Sequence, residues 1–163
     1  MKKHKPVSAS RTILSDMILP SQANPQGNVH GGEIMKIMDN CAGVAAMRHA
    51  HRNCVTARVD ELLFIHPVYV GQLLICEAQL VYVGRTSMEI EVKVFVEDLG
   101  DGQEGEKTMA LTAFFTFVAL DKYGKPCEVP ALDIETEEEW AAFREGEKRY
   151  LRHKKHKPAC TGL

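Results

Sequence analysis

The stretch NPQGNVHGGEIMKIMDNCAG, from Asn24 to Gly43, decides the fold. Its first half has loop composition, with Asn24, Pro25 and Gly27 ahead of His30, Gly31 and Gly32. From Gly31 to about His51 a helical period takes over. Ile34, Ile37, Met38, Cys41 and Ala45 recur at three- and four-residue steps, which predicts a helix with one apolar stripe to bury. Set Ile34 at zero on a wheel advancing about 100° per residue. The stripe then lies within about 60° of zero, while Asp39 falls near about 140°, off its flank. Gly32, Gly43 and Ala46 share that side with Asp39. Lys and Glu would serve a plain solvent face better, so small residues around an acid imply close approach by another backbone or a ligand.

The helix start carries a second signal. The first turn leaves N–H groups without internal acceptors, backed by positive partial charge. Gly31 and Gly32 have no side chains to screen these donors, so a developing oxyanion is well stabilised there. The same glycines also permit a tight entry into the helix; Asn24 ahead and Asp39 behind favour the chemical reading. A carboxylate can activate water or attack a carbonyl, and an asparagine can orient the water. Together these groups describe acyl transfer to water. His30 reads as holding the entry loop by a hydrogen bond, with general base as the alternative. Cys41 falls inside the stripe and reads as a buried, inert thiol.

Outward from the helix the pattern turns to strands. TILSDMIL (12–19) is a short one ending at Pro20, followed by a loop over 21–30. CVTARVDELLFI (54–65), GQLLICEAQLVYVG (71–84), MEIEVKVFVED (88–98) and KTMALTAFFTFVALD (107–121) are long ones, and GDGQEGE (100–106) is a flexible hairpin tip. In 88–98 Met88, Ile90, Val92, Val94 and Val96 face inward and mostly charges face outward. This order predicts an α+β fold, an antiparallel sheet wrapped around the helix. From Thr136, a plausible N-cap, a last helix places Glu137–Glu139 in its first turn and Arg149, Arg152, Lys154 and Lys155 towards its end, complementing the helix dipole. It reads as a solvated helix with Trp140 and Tyr150 as packing anchors. An oligomer contact, or a grip on a phosphate-bearing ligand, is the alternative.

Composition excludes several classes. The 163 residues suit one domain, and a formal net charge of -2 supplies no global field for nucleic acid or acidic lipid. No apolar run spans a bilayer, and MKKHKPVSAS lacks a signal-peptide core. Residues 1–11 read as a flexible basic N-terminus. The five cysteines are odd in number and form no CxxC, which fits reduced thiols in a cytoplasmic protein. His49 and His51 do not share a helix face, so no metal site is expected.

The Asn24–Gly43 stretch, with FIHPVYVGQ, VYVGRTSMEIEVKV and ALTAFFTFVALD, resembles the hotdog-fold acyl-CoA thioesterases, in particular the bacterial YciA-type and mammalian brain-type acyl-CoA hydrolases. The match runs from about residue 12 to 130. The resemblance implies a hotdog domain over 12–132 and a C-terminal helical extension over 133–163. It implies hydrolysis of fatty acyl-CoA to free acid and CoA with no further cofactor. It also implies a homodimer at minimum, assembled into a trimer of dimers. By position, Asp39 matches the family's catalytic acid and Asn24 its polar partner. His30, Gly31 and Gly32 match the HGG at the helix start, and Gly84, Arg85, Thr86 and Ser87 match a turn near the CoA. Hotdog hydratases and dehydratases would need a histidine beside Asp39, which the sequence does not supply. An acyl-CoA sensor would need a DNA-binding or partner module larger than the short N-terminus.

Overall fold

The stripe on the first long helix finds the sheet it needs. The computed structural model describes residues 3–100 and 105–156. In chain order the elements are β1 (His4–Pro6), β2 (Thr12–Met17), α1 (Gly31–Ala50), β3 (Asn53–Phe64), β4 (Leu73–Val83), β5 (Ser87–Glu97), β6 (Thr108–Leu120), β7 (Ala131–Asp133) and α2 (Glu137–Lys155). Five strands form one antiparallel sheet in the order β2-β4-β5-β6-β3. The hairpin tip expected at 100–106 includes 101–104, which lie outside the described residues.

Helix α1 lies on one face of this sheet, against β2 to β6. Ile34, Met38, Cys41, Ala42, Ala45 and Ala46 are buried beneath it, and Met88, Ile90, Val92 and Val94 meet them from β5. The period of two in β5 and of 3.6 in α1 therefore converge on one core, as the patterning requires. Among the described residues no helix is long and apolar enough to cross a membrane.

Two expectations are corrected. Residues 1–11 do not fray where they are described. Strand β1 pairs in parallel with β7, Val7 is 2% exposed, and Lys5 Nζ donates to the carbonyls of Arg48 and His49 at 3.1 and 2.7 Å. A cation at the carbonyl end of α1 complements its dipole, so the basic composition anchors this segment.

Helix α2 is also not simply solvated. Thr136 caps it, accepting from the Glu139 N–H at 3.1 Å, and the helix then docks on the outer face of the sheet. Tyr82 of β4 stacks against Phe143 and Tyr150, with ring centroids 5.0 and 5.2 Å apart. Tyr150 thus anchors as expected, whereas Trp140 is 46% exposed and reaches only the edge of Phe143. Arg149 Nε donates to Glu89 Oε1 at 2.9 Å in a buried pair, and its guanidinium lies 3.5 Å from the Phe114 ring centroid. Burial pushes the Glu89 carboxyl up and Arg149 pulls it back down in part. Glu89 is therefore the exception to the outward charges of β5: α2 covers it.

Gly146 permits this seating. A Cβ there would lie 2.7 Å from Tyr82 Cβ and 2.9 Å from Glu89 Oε2. Gly146→Ala gains about 1 kcal/mol of helix propensity but forces a clash costing about 1–3 kcal/mol. A lowered urea midpoint with an unchanged slope is the expected result. A raised midpoint would mean that α2 does not sit this close to β4.

Candidate active site

Asp39 stands half-exposed on the flank of α1 and meets β3 there. Thr56 Oγ1 donates to Asp39 Oδ1 at 2.6 Å, while Oδ2 has no hydrogen-bond partner among the described residues. Local geometry dictates the contact. Thr56 pairs opposite Phe117 of β6, and residues opposite one another in a ladder share a sheet face. Phe117 faces α1, since a Cβ on Gly43 would sit 3.5 Å from its ring. Thr56 therefore points at the helix. The sequence pattern does not single out Thr56, because nothing in its strand marks the register or the sheet edge that β3 takes.

The next residues turn the other way. The register shifts between Thr56 and Arg58, leaving Ala57 as an extra residue, and Arg58 pairs opposite Thr116. Such a bulge reverses the alternation of faces. Thr116 and Arg58 both line a cavity of about 300 Å³ on the outer face, beside α2. Thr86 and Ser87 line it as well, with Tyr82, Tyr150 and Lys154. Gly84 lets this turn approach the helix, since a Cβ there would lie 3.1 Å from the Tyr150 ring. Arg85 is exposed and stands apart from the cavity lining.

At the start of α1, the N–H groups of Gly31 and Gly32 have no acceptor among the described residues. Gly31 faces the ring of Phe64, 3.1 Å from where its Cβ would be, and Gly32 faces open space. His30 contributes backbone alone. Its carbonyl accepts from Glu33 at 3.0 Å and its N–H donates to the Gln22 carbonyl at 3.0 Å. Its exposed ring does not cap the helix, and among the described residues it does not make the expected loop-holding hydrogen bond. Asn24 does organise the loop: Oδ1 accepts from the N–H groups of Gln26 and Asn28 at 3.0 and 3.1 Å. That commits the amide oxygen and leaves the Nδ2 donors.

The small-residue face is also partly spoken for. Ala46 is fully buried and Gly43 abuts Phe117, so this chain's own sheet fills the space expected to admit another backbone or a ligand there. His49 is buried and Nε2 donates to the Pro130 carbonyl at 2.9 Å. Among the described residues no group of three His, Cys, Asp or Glu side chains could hold a metal. Cys41 is fully buried in the core.

The chain is similar to known proteins in both sequence and fold. Residues 26–103 match the family model described as the thioesterase superfamily. The chain is 39% identical over 155 residues to the cytosolic acyl coenzyme A thioester hydrolase of Rattus norvegicus, covering 95% of this chain but 40% of that protein. It thus spans less than half the length of this mammalian relative. It is 38% identical over 130 residues to the acyl-CoA thioester hydrolase YkhA of Bacillus subtilis, itself uncharacterised, covering 80% of this chain and 74% of that one. A hexameric acyl-CoA thioesterase solved in its apo form superposes with a TM-score of 0.88 at 36% identity, covering 96% of this chain and 99% of that one.

Proposed function

The chain belongs to the thioesterase superfamily, among its acyl-CoA thioester hydrolases, and from that premise we propose that it hydrolyses fatty acyl-CoA to free fatty acid and CoA. The observation that carries this reading is the Asp39 carboxylate, with one oxygen gripped by Thr56 at 2.6 Å and the other without a hydrogen-bond partner among the described residues. The Thr56 hydroxyl fixes the carboxylate plane, and Oδ2 acts on water as general base or on the thioester carbonyl as nucleophile. The Gly31 and Gly32 N–H groups stabilise the oxyanion. Asn24 joins them through Nδ2 as a donor to the carbonyl oxygen, because accepting from a water would require the committed Oδ1. His30 supplies the backbone turn that sets these donors. Water adds to the carbonyl carbon, the C–S bond breaks, and the proton passes to the departing CoA thiolate. Thr86 and Ser87, with Gly84 as the spacer that brings them in, are the part of the CoA-side turn best placed to meet the ligand. Exposed Arg85 could reach it only from outside the cavity. No further cofactor takes part, and the free thiols of Cys41, Cys54, Cys76 and Cys127 suit a cytoplasmic setting.

One copy cannot complete this site. Gly32 and Asp39 are seven residues apart, roughly 10 Å along the axis. Donors act at about 3 Å from the oxygen and the attacking group at about 3–3.5 Å from the carbon. These reaches fall short of the separation. A second copy related by a twofold axis would bring its Asp39 to the first copy's glycines. Strand β3 offers the junction: among the described residues it pairs only with β6, and Val55, Leu63 and Phe64 on it are 43%, 59% and 51% exposed. A long apolar edge strand is a template for pairing. We therefore propose a homodimer with two shared sites; likeness to a hexameric thioesterase supports a trimer of such dimers.

Release of free thiol from a panel of acyl-CoAs tests the activity directly; no release from any chain length would overturn it. Thr56→Val should lower kcat by roughly 10–100-fold, the scale of one hydrogen bond to a charged group, and Thr56→Ser should restore most of it. Equal rates in all three proteins would remove Thr56 from the site. For the shared site, Asp39→Asn and Gly32→Pro chains, each inactive alone, should regain one working site per mixed dimer under conditions that exchange subunits. Mixed dimers verified by mass that stay inactive would contradict sharing.

A further inference from the structure

Phe64 is held in a place that core packing does not explain. It pairs opposite Leu111 of β6, which is fully buried and lies on the same sheet face as Phe117. Residues opposite one another share a face, so Phe64 points towards α1, as Thr56 does. There its ring meets the helix start: a Cβ on Gly31 would lie 3.1 Å from Cζ and 3.4 Å from Cε1. The strand is pinned just beyond, where the N–H groups of Ile65 and His66 both donate to the Ala110 carbonyl, at 2.8 and 3.2 Å. The ring can therefore neither recede past Gly31 nor slide along the strand. Yet Phe64 is 51% exposed, which leaves a fixed aromatic surface bare beside the Gly31 and Gly32 donors.

We propose that this surface is a specificity wall of the shared site: it packs against the acyl group at the carbon next to the thioester carbonyl and selects acyl-CoAs unbranched there. The inference rests on the acyl-CoA reading and on the shared site above. Thr56 and Phe64 sit opposite Phe117 and Leu111, about 20 Å apart along β6. Midway lies Phe114, opposite Asp60. Two β3 strands paired antiparallel about a twofold axis near Asp60 set Thr56 of one copy across from Phe64 of the other. Each site then takes the Asp39 carboxylate and Thr56 from one chain, and the glycine donors and the Phe64 ring from its partner. A carbonyl oxygen held about 3 Å from those donors brings the neighbouring carbons into contact with a ring that already touches Gly31. Of the two sides of the carbonyl, the alkyl side takes the ring. The pantetheine arm carries amides that an apolar face would leave unpaired, and the departing thiolate needs a proton that the ring cannot supply. A methyl branch at the α-carbon would need the volume that the ring fills, and close-packed groups do not yield it.

Butyryl-CoA and isobutyryl-CoA have the same carbon count and differ only in that branch. Thiol release by the full chain gives kcat and KM for each. The wild-type chain should favour butyryl-CoA at least about tenfold in kcat/KM, the scale of one misplaced methyl group in an apolar pocket. Phe64→Leu shortens the wall but keeps the edge strand apolar, and should bring the ratio close to one. A merely structural role would slow both thioesters alike and leave the ratio unchanged. Should Phe64→Leu fail to fold, Phe64→Met takes its place with the same expectation. Subunit exchange then assigns the ring to its site. In the mixed dimer of Asp39→Asn and Gly32→Pro chains, the working site draws its donors from the Asp39→Asn chain. Phe64→Leu added to that chain should collapse the ratio, whereas added to the Gly32→Pro chain it should not. The proposal falls if the wild-type chain takes both thioesters equally, if the Phe64 variant keeps the wild-type ratio, or if the mixed dimer responds to the opposite chain. Each of those results leaves acyl-CoA hydrolysis standing. No thiol release from any acyl-CoA would instead overturn the acyl-CoA reading, and this inference with it.

Discussion

The close seating of α1 on the sheet is the constraint from which the other features follow. Aspartate is a short side chain, and Asp39 reaches Thr56 at 2.6 Å only because little stands between the helix backbone and the strands. Ala42, Ala45 and Ala46 are fully buried on that side, and Gly43 lets the Phe117 ring come within ordinary contact of the helix. Larger residues at these positions would lift α1 by the depth of a side chain, since packed interiors have no slack to absorb the volume. The small residues thus stabilise a short distance, and that distance fixes an otherwise mobile carboxylate.

Strand β3 carries the second constraint. A regular strand shows alternate residues to alternate faces, so Thr56 and Arg58 would share one. The extra residue at Ala57 separates them. A second irregularity between Asp60 and Leu63 contains Glu61 at a φ of 50°, a left-handed conformation that costs a side-chain-bearing residue of order 1–3 kcal/mol. Helix α2 grips the strand at this point, through Arg152 to Glu61 at 3.0 Å and His153 to Asp60 at 2.6 Å. The exposed Arg152 pair is weak by itself. With the His153 contact it ties the C-terminal helix to the strand that presents Thr56, while the buried Arg149–Glu89 pair and the Tyr82 stack hold the same helix on β5 and β4.

Much of this was legible in the residues. The stripe on α1, the alternation in β5, the Thr136 cap and the glycines at the helix start each follow from local periodicity or backbone chemistry, and each sits where its pattern places it. The flank position of Asp39 follows from the wheel alone. What was not legible depends on pairings between distant segments. Thr56 becomes a candidate only once β3 takes the edge beside β6, and the outward turn of Arg58 shows only once the bulge is known. Glu89 reads as one more outward charge until α2, sixty residues later in sequence at Arg149, covers it. The basic start reads as frayed because its acceptors lie at the far end of α1. Gly43 and Ala46 were correctly placed on the side of Asp39, but periodicity cannot tell whether another backbone, a ligand or the chain's own sheet fills that space.

The central claim is that the carboxylate of Asp39 performs the chemistry and contributes little to folding. Its most direct test is acyl-CoA hydrolysis by Asp39→Asn, with unfolding and CoA binding measured on the same preparation. Because Asp39 lies off the buried stripe, the account predicts near-native stability and CoA affinity. Turnover should fall on the order of 10²–10⁴-fold, the range for a positioned acid or base. Near-normal turnover, or a protein that loses its fold and its CoA binding together, would contradict it.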